Sequence, residues 1–441
     1  NLTEPQAGSD LAQVRTKAVP QADGTYRVFG QKIYITYGEH DLADNIIHLV
    51  LARTPNAPEG VKGISLFIVP KFLVNDDGSN GTRNDVWCAS LEHKLGIKAS
   101  PTAVLIYGDG KFAVDGQAGA VGYLLGEENR GLETMFIMMN AARFGVGLQG
   151  IGIAERAYQK AVQYARERVQ SRDLAGSAGP VAIVHHPDVK RMLMTMRAQT
   201  EAARALAYWA ASRRDIAHAS TNPNEAREAQ AFYEYLVPII KGWSTELAID
   251  VASLGVQVHG GMGFIEETGA AQFYRDARIL TIYEGTTAIQ ANDLVGRKTA
   301  RDGGLAAKAL IALVEQTEAE LARCTHADAK VVLEHLTHAR QALLDVIDFV
   351  VAQYRSNVKS VFAGSVPYLK LAGIVLGGWQ MARALLAAHA HLNAGENDRF
   401  YATKIATATF YAQHFLSQAS GMRRAIVEGG ATFPELDEAV F

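Results

Sequence analysis

The chain has 441 residues, of which 48% are apolar and 20% are charged. This composition predicts a folded, globular protein of two or three domains and excludes a largely disordered one. The formal net charge of −3 provides no strong field that would attract nucleic acid or an anionic membrane, so no such partner is expected.

The cysteines and the apolar stretches exclude further classes of protein. Cys88 and Cys324 lie far apart, and neither has a Cys or His neighbour at metal-ligand spacing, so we expect no disulfide framework and no metal site. A reducing compartment fits this pattern best. The apolar stretch from Leu371 to Ala382 is shorter than the roughly 20 residues of a membrane-spanning helix, which predicts a buried helix and no membrane span.

The first part of the chain is predicted to form a β-domain over residues 1–125. Short segments rich in β-branched and aromatic residues are separated by turn residues, and they lie at residues 25–29, 31–36, 46–51 and 64–69. A further strand pair is expected around Trp87 and Val104, after a polar loop at residues 76–81. No helix longer than a turn is expected in this region.

From Glu128 onward the apolar residues recur with a period near 3.6, which is typical of helices. The pattern predicts a four-helix bundle within residues 126–300, with helices at residues 132–172, 187–218, 225–254 and 268–297. The first helix contains four glycines, which lower helix propensity but let neighbouring backbones approach closely. Tight helix packing is the interpretation we favour for Gly145, Gly147, Gly150 and Gly152.

Residues 301–441 are predicted to form an additional helical domain, because apolar spacing of the helical kind continues there. Its histidines are scattered along the sequence: His326, His335, His338, His389 and His391. No pattern in this region indicates chemistry, so we expect it to have a structural or oligomer-forming role.

Three blocks of sequence resemble, in order, those of the flavin-dependent acyl-CoA dehydrogenase family. They are NLTEPQAGSD at residues 1–10, QVHGGMGF at residues 257–264 and YEGTT at residues 283–287. The resemblance extends over residues 1–298, and the C-terminal extension is similar to that of the larger bacterial subgroup of the family. It implies an α+β, mostly α protein with a β-barrel-like domain, a four-helix bundle and an extra helical domain.

The resemblance also implies a helical domain before residue 1, since relatives have one and this chain starts without Met inside a motif. We therefore expect a fragment that lacks its N-terminal signals and is inactive by itself. Cytoplasmic localisation, a homodimer or homotetramer and a role in fatty acid metabolism follow from the same resemblance.

Desaturation of an acyl thioester requires a base for the α-proton, an acceptor for the β-hydrogen and donors to the thioester oxygen. No side chain can be the acceptor, so FAD is the expected cofactor. In the family, the glutamate of the Tyr-Glu-Gly-Thr motif is the base, and its backbone amide helps to polarise the thioester carbonyl. Glu284 matches that glutamate. Some relatives carry the base immediately before an arginine of the first bundle helix, but here Ala142 precedes Arg143.

Further site residues are implied by the same resemblance. In the opening block, which differs from the family spelling by Gln6 in place of glycine, Leu2 and Thr3 would contact the flavin and Ser9 the acyl-CoA chain. Tyr34-Ile35-Thr36 is similar to the family's Trp-Ile-Thr, in which the aromatic ring packs on the flavin and the threonine bonds to it.

The bundle carries a second set of candidates. By resemblance, residues that contact the cofactor, in part in a neighbouring subunit, are Arg168, Gln257, Gly260, Gly261 and Thr286. An arginine suits phosphate because its fork can bind two oxygens, and a Gly-Gly pair lets backbone amides approach them. Near the substrate the resemblance implies Arg143, Tyr283 and Gly285. An internal salt bridge of Arg143 is an equally open interpretation, because a buried arginine needs a partner.

The expected activity is thus FAD-dependent α,β-dehydrogenation of an acyl-CoA to its trans-enoyl-CoA, with electron-transfer flavoprotein as acceptor. Two alternatives stay open at this point. One is an acyl-CoA oxidase that passes electrons to oxygen, which the motifs do not separate from a dehydrogenase. The other is a non-catalytic binding protein of the same fold, against which the intact Glu284 argues.

Overall fold

The computed structural model describes residues 1–431 and 436–440. The chain forms two compact units, residues 1–141 and residues 142–441. The predicted domain division after residues 125 and 300 stays a prediction. The α+β, mostly helical class is confirmed, with one sheet-containing part and a long helical part.

The first unit is built on antiparallel strands. They are β1 (Lys17–Pro20), β2 (Tyr26–Thr36), β3 (Ile47–Ala52), β4 (Ser65–Pro70), β5 (Phe72–Val74), β6 (Asn80–Arg83), β7 (Val86–Leu91), β8 (Thr102–Tyr107) and β9 (Ala120–Leu124). The main sheet has the order β3-β4-β9-β2-β8-β7, with β1 added beside β2, while β5 and β6 form a separate hairpin. The inward-facing residues of the main sheet form an apolar core around Phe67, Val69 and Tyr107.

The predicted strands are present, with two differences. The segments at residues 25–29 and 31–36 form one strand, because Gly30 continues it with φ 156°. A Cβ at Gly30 would lie 2.5 Å from Thr16 Oγ1, so only glycine fits this continuation. The polar loop at residues 76–81 is shorter than predicted, since Asn80 already begins β6. The expected pair around Trp87 and Val104 is β7 with β8.

The rest of the chain is mainly helical. Its helices are α1 (Gly131–Glu167), α2 (Pro187–Ala219), α3 (Pro223–His259), α4 (Ala270–Ala277), α5 (Thr287–Asp293), α6 (Leu305–Arg323), α7 (Ala327–Gln353), α8 (Val358–Ala363), α9 (Ser365–Asn393), α10 (Arg399–His414) and α11 (Ala419–Val427). A π-helix, Leu294–Ala300, follows α5 directly. A small hairpin of β10 (Val169–Arg172) and β11 (Pro180–Ala182) separates α1 from α2.

Two of the four predicted bundle helices are interrupted, and the predictions of continuous helices at residues 132–172 and 268–297 are wrong. The first ends at Glu167, because residues 169–172 pair with β11 instead of continuing the helix. The second is broken between α4 and α5. There the Thr286 hydroxyl accepts a hydrogen bond from the Ile289 amide and caps a new helix.

Helix α9 is the most apolar helix of the second unit. The apolar stretch predicted at residues 371–382 is only its centre, because the helix has 29 residues, and by length and composition it could cross a membrane. However, 78% of its most apolar window is buried within the protein. It packs against α2, α3, α5, α6, α7 and α10, so it is the central helix of a folded core.

Trp243 of α3 fits into a notch in α9 made by two glycines. A Cβ at Gly373 would lie 2.4 Å from Cγ of the indole, and one at Gly377 would lie 2.6 Å from its Cη2. The buried apolar residues of the bundle and of the extension consequently form one continuous cluster, from Ile151 to Ile426.

The four glycines of α1 divide into two pairs. A Cβ at Gly147 would lie 2.7 Å from a methyl of Ile240, and one at Gly150 would lie 2.7 Å from the carbonyl oxygen of Ser244. At Gly145 and Gly152 an added Cβ would meet nothing within 4 Å. The packing interpretation is therefore right for Gly147 and Gly150, which let α1 lie directly on α3. It is wrong for Gly145 and Gly152.

This division predicts opposite effects of the same substitution in one helix. Gly150→Ala should lower the free energy of unfolding by about 1–3 kcal/mol, because the new methyl meets backbone that cannot move aside easily. Gly152→Ala is the matched control and should raise it by about 0.5–1 kcal/mol through helix propensity. Urea unfolding followed by circular dichroism measures both, and equal effects would contradict the assignment.

Candidate functional site

Glu284 lies in the irregular segment between α4 and α5, and its backbone is unusual. Its φ is 55° and that of Gly285 is 88°, so two successive residues occupy the left-handed region. For a residue with a side chain this conformation costs of order 1–2 kcal/mol. The residue as a whole is half-buried. A half-buried acid on backbone of this kind must be held by its surroundings.

The carbonyl groups of this segment are held by side chains of two helices. The Lys241 ammonium of α3 donates to the Gly285 carbonyl oxygen at 2.7 Å. The Gln290 amide of α5 donates to the same oxygen at 3.2 Å and to that of Glu284 at 3.3 Å. Lys241 and Gln290 are completely buried. The segment is thereby fixed from both sides.

Positive charge is concentrated around this segment. Burial lowers the pKa of Lys241 to about 8, with Arg143 lowering it further and with Glu284 and Glu246 opposing the shift. The Arg143 guanidinium is buried on α1 and lies 3.5 Å from an Asp293 carboxylate oxygen. Burial also lowers the pKa of Arg143, and the charges of Asp293 and Glu284 oppose that shift.

Asp293 provides the internal salt bridge that the sequence left open for Arg143. Its other carboxylate oxygen accepts from Arg297 Nε at 2.5 Å, so one buried acid bridges two arginines. The predicted role of Arg143 near the CoA moiety stays a prediction.

The residues flanking Glu284 also have defined partners. The Tyr283 hydroxyl donates to the Gln149 side chain of α1, and its pKa is raised to about 12 by burial and by the charge of Glu284. The Thr287 hydroxyl donates to Glu246 at 2.5 Å. Tyr283 is therefore a hydrogen-bond donor at neutral pH and not a second base.

In the first unit, a buried acid organises the opening loop. Glu4 is 3% exposed and accepts from the Thr16 hydroxyl at 2.6 Å and from the Arg15 amide at 2.7 Å. The completely buried Lys32 of β2 donates to it at 2.8 Å and also to the Leu2 carbonyl at 3.1 Å. The Ile33 amide donates to the Thr3 carbonyl.

These contacts change the ionisation of both charged groups. Burial by itself would raise the pKa of Glu4, but Lys32 and the bonds from Thr16 and Arg15 outweigh it and lower this pKa to about 2. Burial lowers the pKa of Lys32 to about 8 despite the opposing effect of Glu4. Both groups are charged at neutral pH, and together they fix the backbone of Leu2 and Thr3.

An irregularity in β2 leaves the side chain of Tyr34 exposed to solvent. The register with β8 shifts between Lys32 and Ile35, and Tyr34 has φ 59° and is 62% exposed. Such bulges re-aim side chains and are common beside functional sites. Thr36, two residues on, is exposed as well. An exposed aromatic ring offers an apolar face on which a planar group can stack.

The remaining candidates lie near the ends of α1 and α3. The ring of Tyr164 stacks on that of His259 with 4.4 Å between centroids, which holds the two helix ends together. Arg168 follows Tyr164 by one turn, is exposed, and donates to Gln170 at 2.9 Å. Beyond His259, Gly260 has φ 58°, and an added Cβ there or at Gly261 would meet nothing within 4 Å. Gln257 and, in the first unit, Ser9 are exposed.

One group of histidines is not scattered as predicted. His326 and His389 stack with 3.9 Å between centroids and 9° between planes, and Asp328 lies 3.1 Å from His389 Nε2. These three residues could hold a metal by proximity. However, the nitrogen lone pairs lie in the ring planes, and parallel stacked rings cannot direct them at one ion. We assign the group as a structural contact between α7 and α9.

The structure thus brings Arg143, Tyr283, Glu284 and Gly285 together and orders Leu2, Thr3 and Tyr34. Sequence reasoning missed Lys241, Gln290, Asp293 and Lys32. One signal was available, because Lys241 is a lone charge within the apolar run LVPIIKGW. A lysine in such a run is buried and must have a partner.

Family comparisons agree with this geometry. The acyl-CoA dehydrogenase middle domain matches residues 1–109, the acyl-CoA dehydrogenase C-terminal domain residues 129–298, and a domain described as acetyl-CoA dehydrogenase C-terminal like residues 310–437. The chain belongs to the acyl-CoA dehydrogenase family.

Individual relatives give the same result. The chain is 55% identical to a 3-methylmercaptopropionyl-CoA dehydrogenase of Ruegeria pomeroyi over 98% of this chain and 71% of the relative. It is 38% identical to a broad-specificity linear acyl-CoA dehydrogenase of Mycobacterium tuberculosis over 100% of this chain and 73% of the relative. An acyl-CoA dehydrogenase of Bacillus anthracis, solved as an FAD complex, shares the fold with a TM-score of 0.73 and 23% identity, over 100% of this chain and 69% of that one.

The buried pair in the opening loop generates a stability prediction. Lys32→Met leaves Glu4 buried without its counter-charge and should lower the free energy of unfolding by about 3–5 kcal/mol at neutral pH. The Lys32→Met/Glu4→Gln double variant should lose clearly less. Urea unfolding measures both, and a double variant as unstable as the single one would contradict the pairing.

The low pKa of Glu4 predicts how this contribution depends on pH. Its folded pKa of about 2 lies below the ordinary 4.5, so the stabilisation is complete above the ordinary value and is lost as pH falls from there through 2. The stability difference between the unsubstituted protein and Glu4→Gln should therefore shrink over that interval. A difference that is constant with pH would show that Glu4 is not the group concerned.

Proposed function

We propose that this protein catalyses the FAD-dependent α,β-dehydrogenation of an acyl-CoA thioester to the trans-enoyl-CoA, with Glu284 as the base. The observation that carries the proposal is the placement of Glu284. Glu284 is half-buried, and Lys241 and Gln290 hold the carbonyl groups of its left-handed backbone. It lies within the family's Tyr-Glu-Gly-Thr block, near the buried cation Arg143.

In this proposal the α-proton of the acyl chain moves to the Glu284 carboxylate and a double bond forms between the α and β carbons. FAD, when bound, supplies the oxidant that takes up the β-hydrogen with its electron pair. Tyr283 has its hydroxyl bonded to Gln149 and its pKa raised to about 12, so it does not compete for the proton. The Glu284 amide is offered to the thioester oxygen, where a backbone donor stabilises developing charge.

The residues present fit an FAD cofactor. In residues 1–141, the fixed backbone of Leu2 and Thr3 and the exposed ring of Tyr34, followed by Ile35 and Thr36, would hold the flavin ring. In residues 142–441, the open backbone at Gly260 and Gly261 has room for a phosphate, and the exposed Arg168 offers a bidentate contact. The family resemblance assigns these contacts, with Gln257, in part to a partner subunit's flavin, and Thr286 to the same cofactor.

We further propose a short or linear acyl-CoA as substrate, with 3-methylmercaptopropionyl-CoA as the first candidate. The support is the 55% identity to the Ruegeria pomeroyi enzyme of that name and the 38% identity to the linear-chain enzyme. Ser9, Arg143, Tyr283 and Gly285 are the proposed contacts with the substrate. For Arg143, the ion pair with Asp293 supports a held guanidinium beside the site.

Electron-transfer flavoprotein is the proposed acceptor and a homodimer or homotetramer the proposed assembly, in the cytoplasm. Support for an assembly comes from apolar side chains exposed beside Gly260 and Gly261, where Phe264 is 85% exposed and Met262 47%. Apolar groups that are solvent-exposed in this way favour a covering partner.

Glu284→Gln tests the role of the base. It removes the proton acceptor but keeps the side-chain size, so turnover should fall by about 10²–10⁴-fold while the visible absorbance of bound FAD is retained. Glu267→Gln removes an exposed carboxylate from the same unit and should leave turnover unchanged. Turnover by Glu284→Gln within a few-fold of the unsubstituted enzyme would refute the assignment.

Anaerobic titration with a panel of acyl-CoAs tests substrate and acceptor together. Bleaching of the flavin absorbance by 3-methylmercaptopropionyl-CoA at the lowest concentrations is expected, followed by reoxidation with electron-transfer flavoprotein. Rapid peroxide formation in air without that acceptor would instead identify an oxidase, and a protein that never binds FAD would identify a non-catalytic relative.

A further inference from the structure

Lys241 is a charged residue that the proposed reaction does not use. It lies in the middle of α3 with no exposed surface, although lysine is among the residues least often buried completely. A buried ammonium must have its protons bonded and its charge balanced. One of its protons is donated outside its own helix, to the Gly285 carbonyl at 2.7 Å.

The recipient of that bond is the residue after the proposed base. Glu284 and Gly285 have φ values of 55° and 88°, and the first of these is costly for a residue with a side chain. Such a conformation persists only if its surroundings impose it. Among the described residues, Lys241 and Gln290 are the side chains that donate to the Gly285 carbonyl, and the lysine bond is the shorter by 0.5 Å.

Lys241 is buried because α1 packs closely on α3. Gly147 lies against Ile240 and Gly150 against Ser244, on either side of the lysine in the sequence of α3. The Thr245 hydroxyl donates back to the Lys241 carbonyl at 2.7 Å and fixes this turn of the helix. The backbone position from which the Lys241 side chain starts is therefore fixed by the packing of α1 on α3.

We propose that Lys241 is a positioning residue for the reaction: by holding the Gly285 carbonyl it fixes the direction in which the Glu284 carboxylate faces the substrate. The inference rests on the proposed function, in which Glu284 is the base. Lys241 does not transfer a proton and does not touch the reacting carbons. Its loss would misplace the base without removing it, and a displacement of about 1 Å can cost up to 10²-fold in rate.

Charge is the second contribution of Lys241. The charged groups that act on it are Arg143 from α1, Glu284 from the irregular segment and Glu246 from its own helix. The ammonium of Lys241 therefore acts on the segment through its hydrogen bond to Gly285 and acts on Glu284 through its charge.

The test uses the FAD-loaded enzyme and measures proton abstraction separately from oxidation. A 3-thia-acyl-CoA has sulfur in place of the β carbon and cannot be dehydrogenated, but its α-protons exchange with deuterium oxide if a base removes them. Mass spectrometry measures this exchange, and the change in the visible spectrum on titration gives the dissociation constant of the same ligand.

Lys241→Met replaces the lysine by an unbranched side chain that is one heavy atom shorter, and it removes the donor and the charge. We expect its exchange rate to fall by about 10- to 100-fold, with the dissociation constant and the amount of bound FAD within twofold of the unsubstituted enzyme. Lys298→Met is the matched control, because Lys298 donates to Glu234 at 3.0 Å in the same unit but does not contact the segment. It should exchange at the original rate.

The outcomes separate the two proposals. Exchange that persists in Glu284→Gln would refute the proposed base, whatever Lys241 does. Exchange that is lost in Glu284→Gln but unchanged in Lys241→Met would refute the role of Lys241 alone.

If Lys241→Met does not retain FAD, Lys241→Gln is used in its place. Glutamine also lacks the positive charge, but it keeps polar atoms in the buried site. The same fall is expected, and an unchanged rate contradicts the proposal.

Discussion

A buried ammonium group must have acceptors for its protons, and this constraint shapes the functional segments of both units. Lys32 and Lys241 are completely buried, and each donates to a backbone carbonyl of an irregular segment, that of Leu2 and that of Gly285. Neither carbonyl belongs to a helix or a strand. Each lysine therefore gives a hydrogen-bond partner to backbone that has none within regular secondary structure. The residues proposed to contact the cofactor and the substrate are neighbours of these two carbonyls.

The two lysines differ in how their charge is compensated. Lys32 has a direct carboxylate partner in Glu4, which in turn accepts bonds from the backbone and hydroxyl of Thr16 and keeps a pKa of about 2. Among the residues that the structure describes, Lys241 is bonded to a carbonyl and not to a carboxylate, and its neighbouring charges include the like-charged Arg143. A buried cation of this second kind costs stability. Its position beside the proposed base suggests that stability has been exchanged there for a fixed geometry.

The sequence predicted the elements well where a local pattern decides them. The strands of the first unit and the helices α2 and α3 lie close to their predicted positions, because alternation and helical periodicity are local properties. Predictions were wrong where a distant segment competes, as when β11 pairs with residues 169–172 and ends α1 early. The block around Glu284 was found through resemblance, but its left-handed backbone and its dependence on Lys241, 43 residues earlier in the chain, arise from tertiary packing that no local pattern encodes.

The notch that Gly373 and Gly377 form in α9 has a consequence for how the second unit unfolds. Because the indole of Trp243 is inserted at Gly373 and Gly377, the helix that carries Lys241 also packs against α9 of the C-terminal extension. The buried apolar cluster is continuous across this contact. The extension and the bundle should therefore unfold as a single cooperative unit. Loss of the extension by truncation would leave Trp243 uncovered on the helix that also carries Lys241.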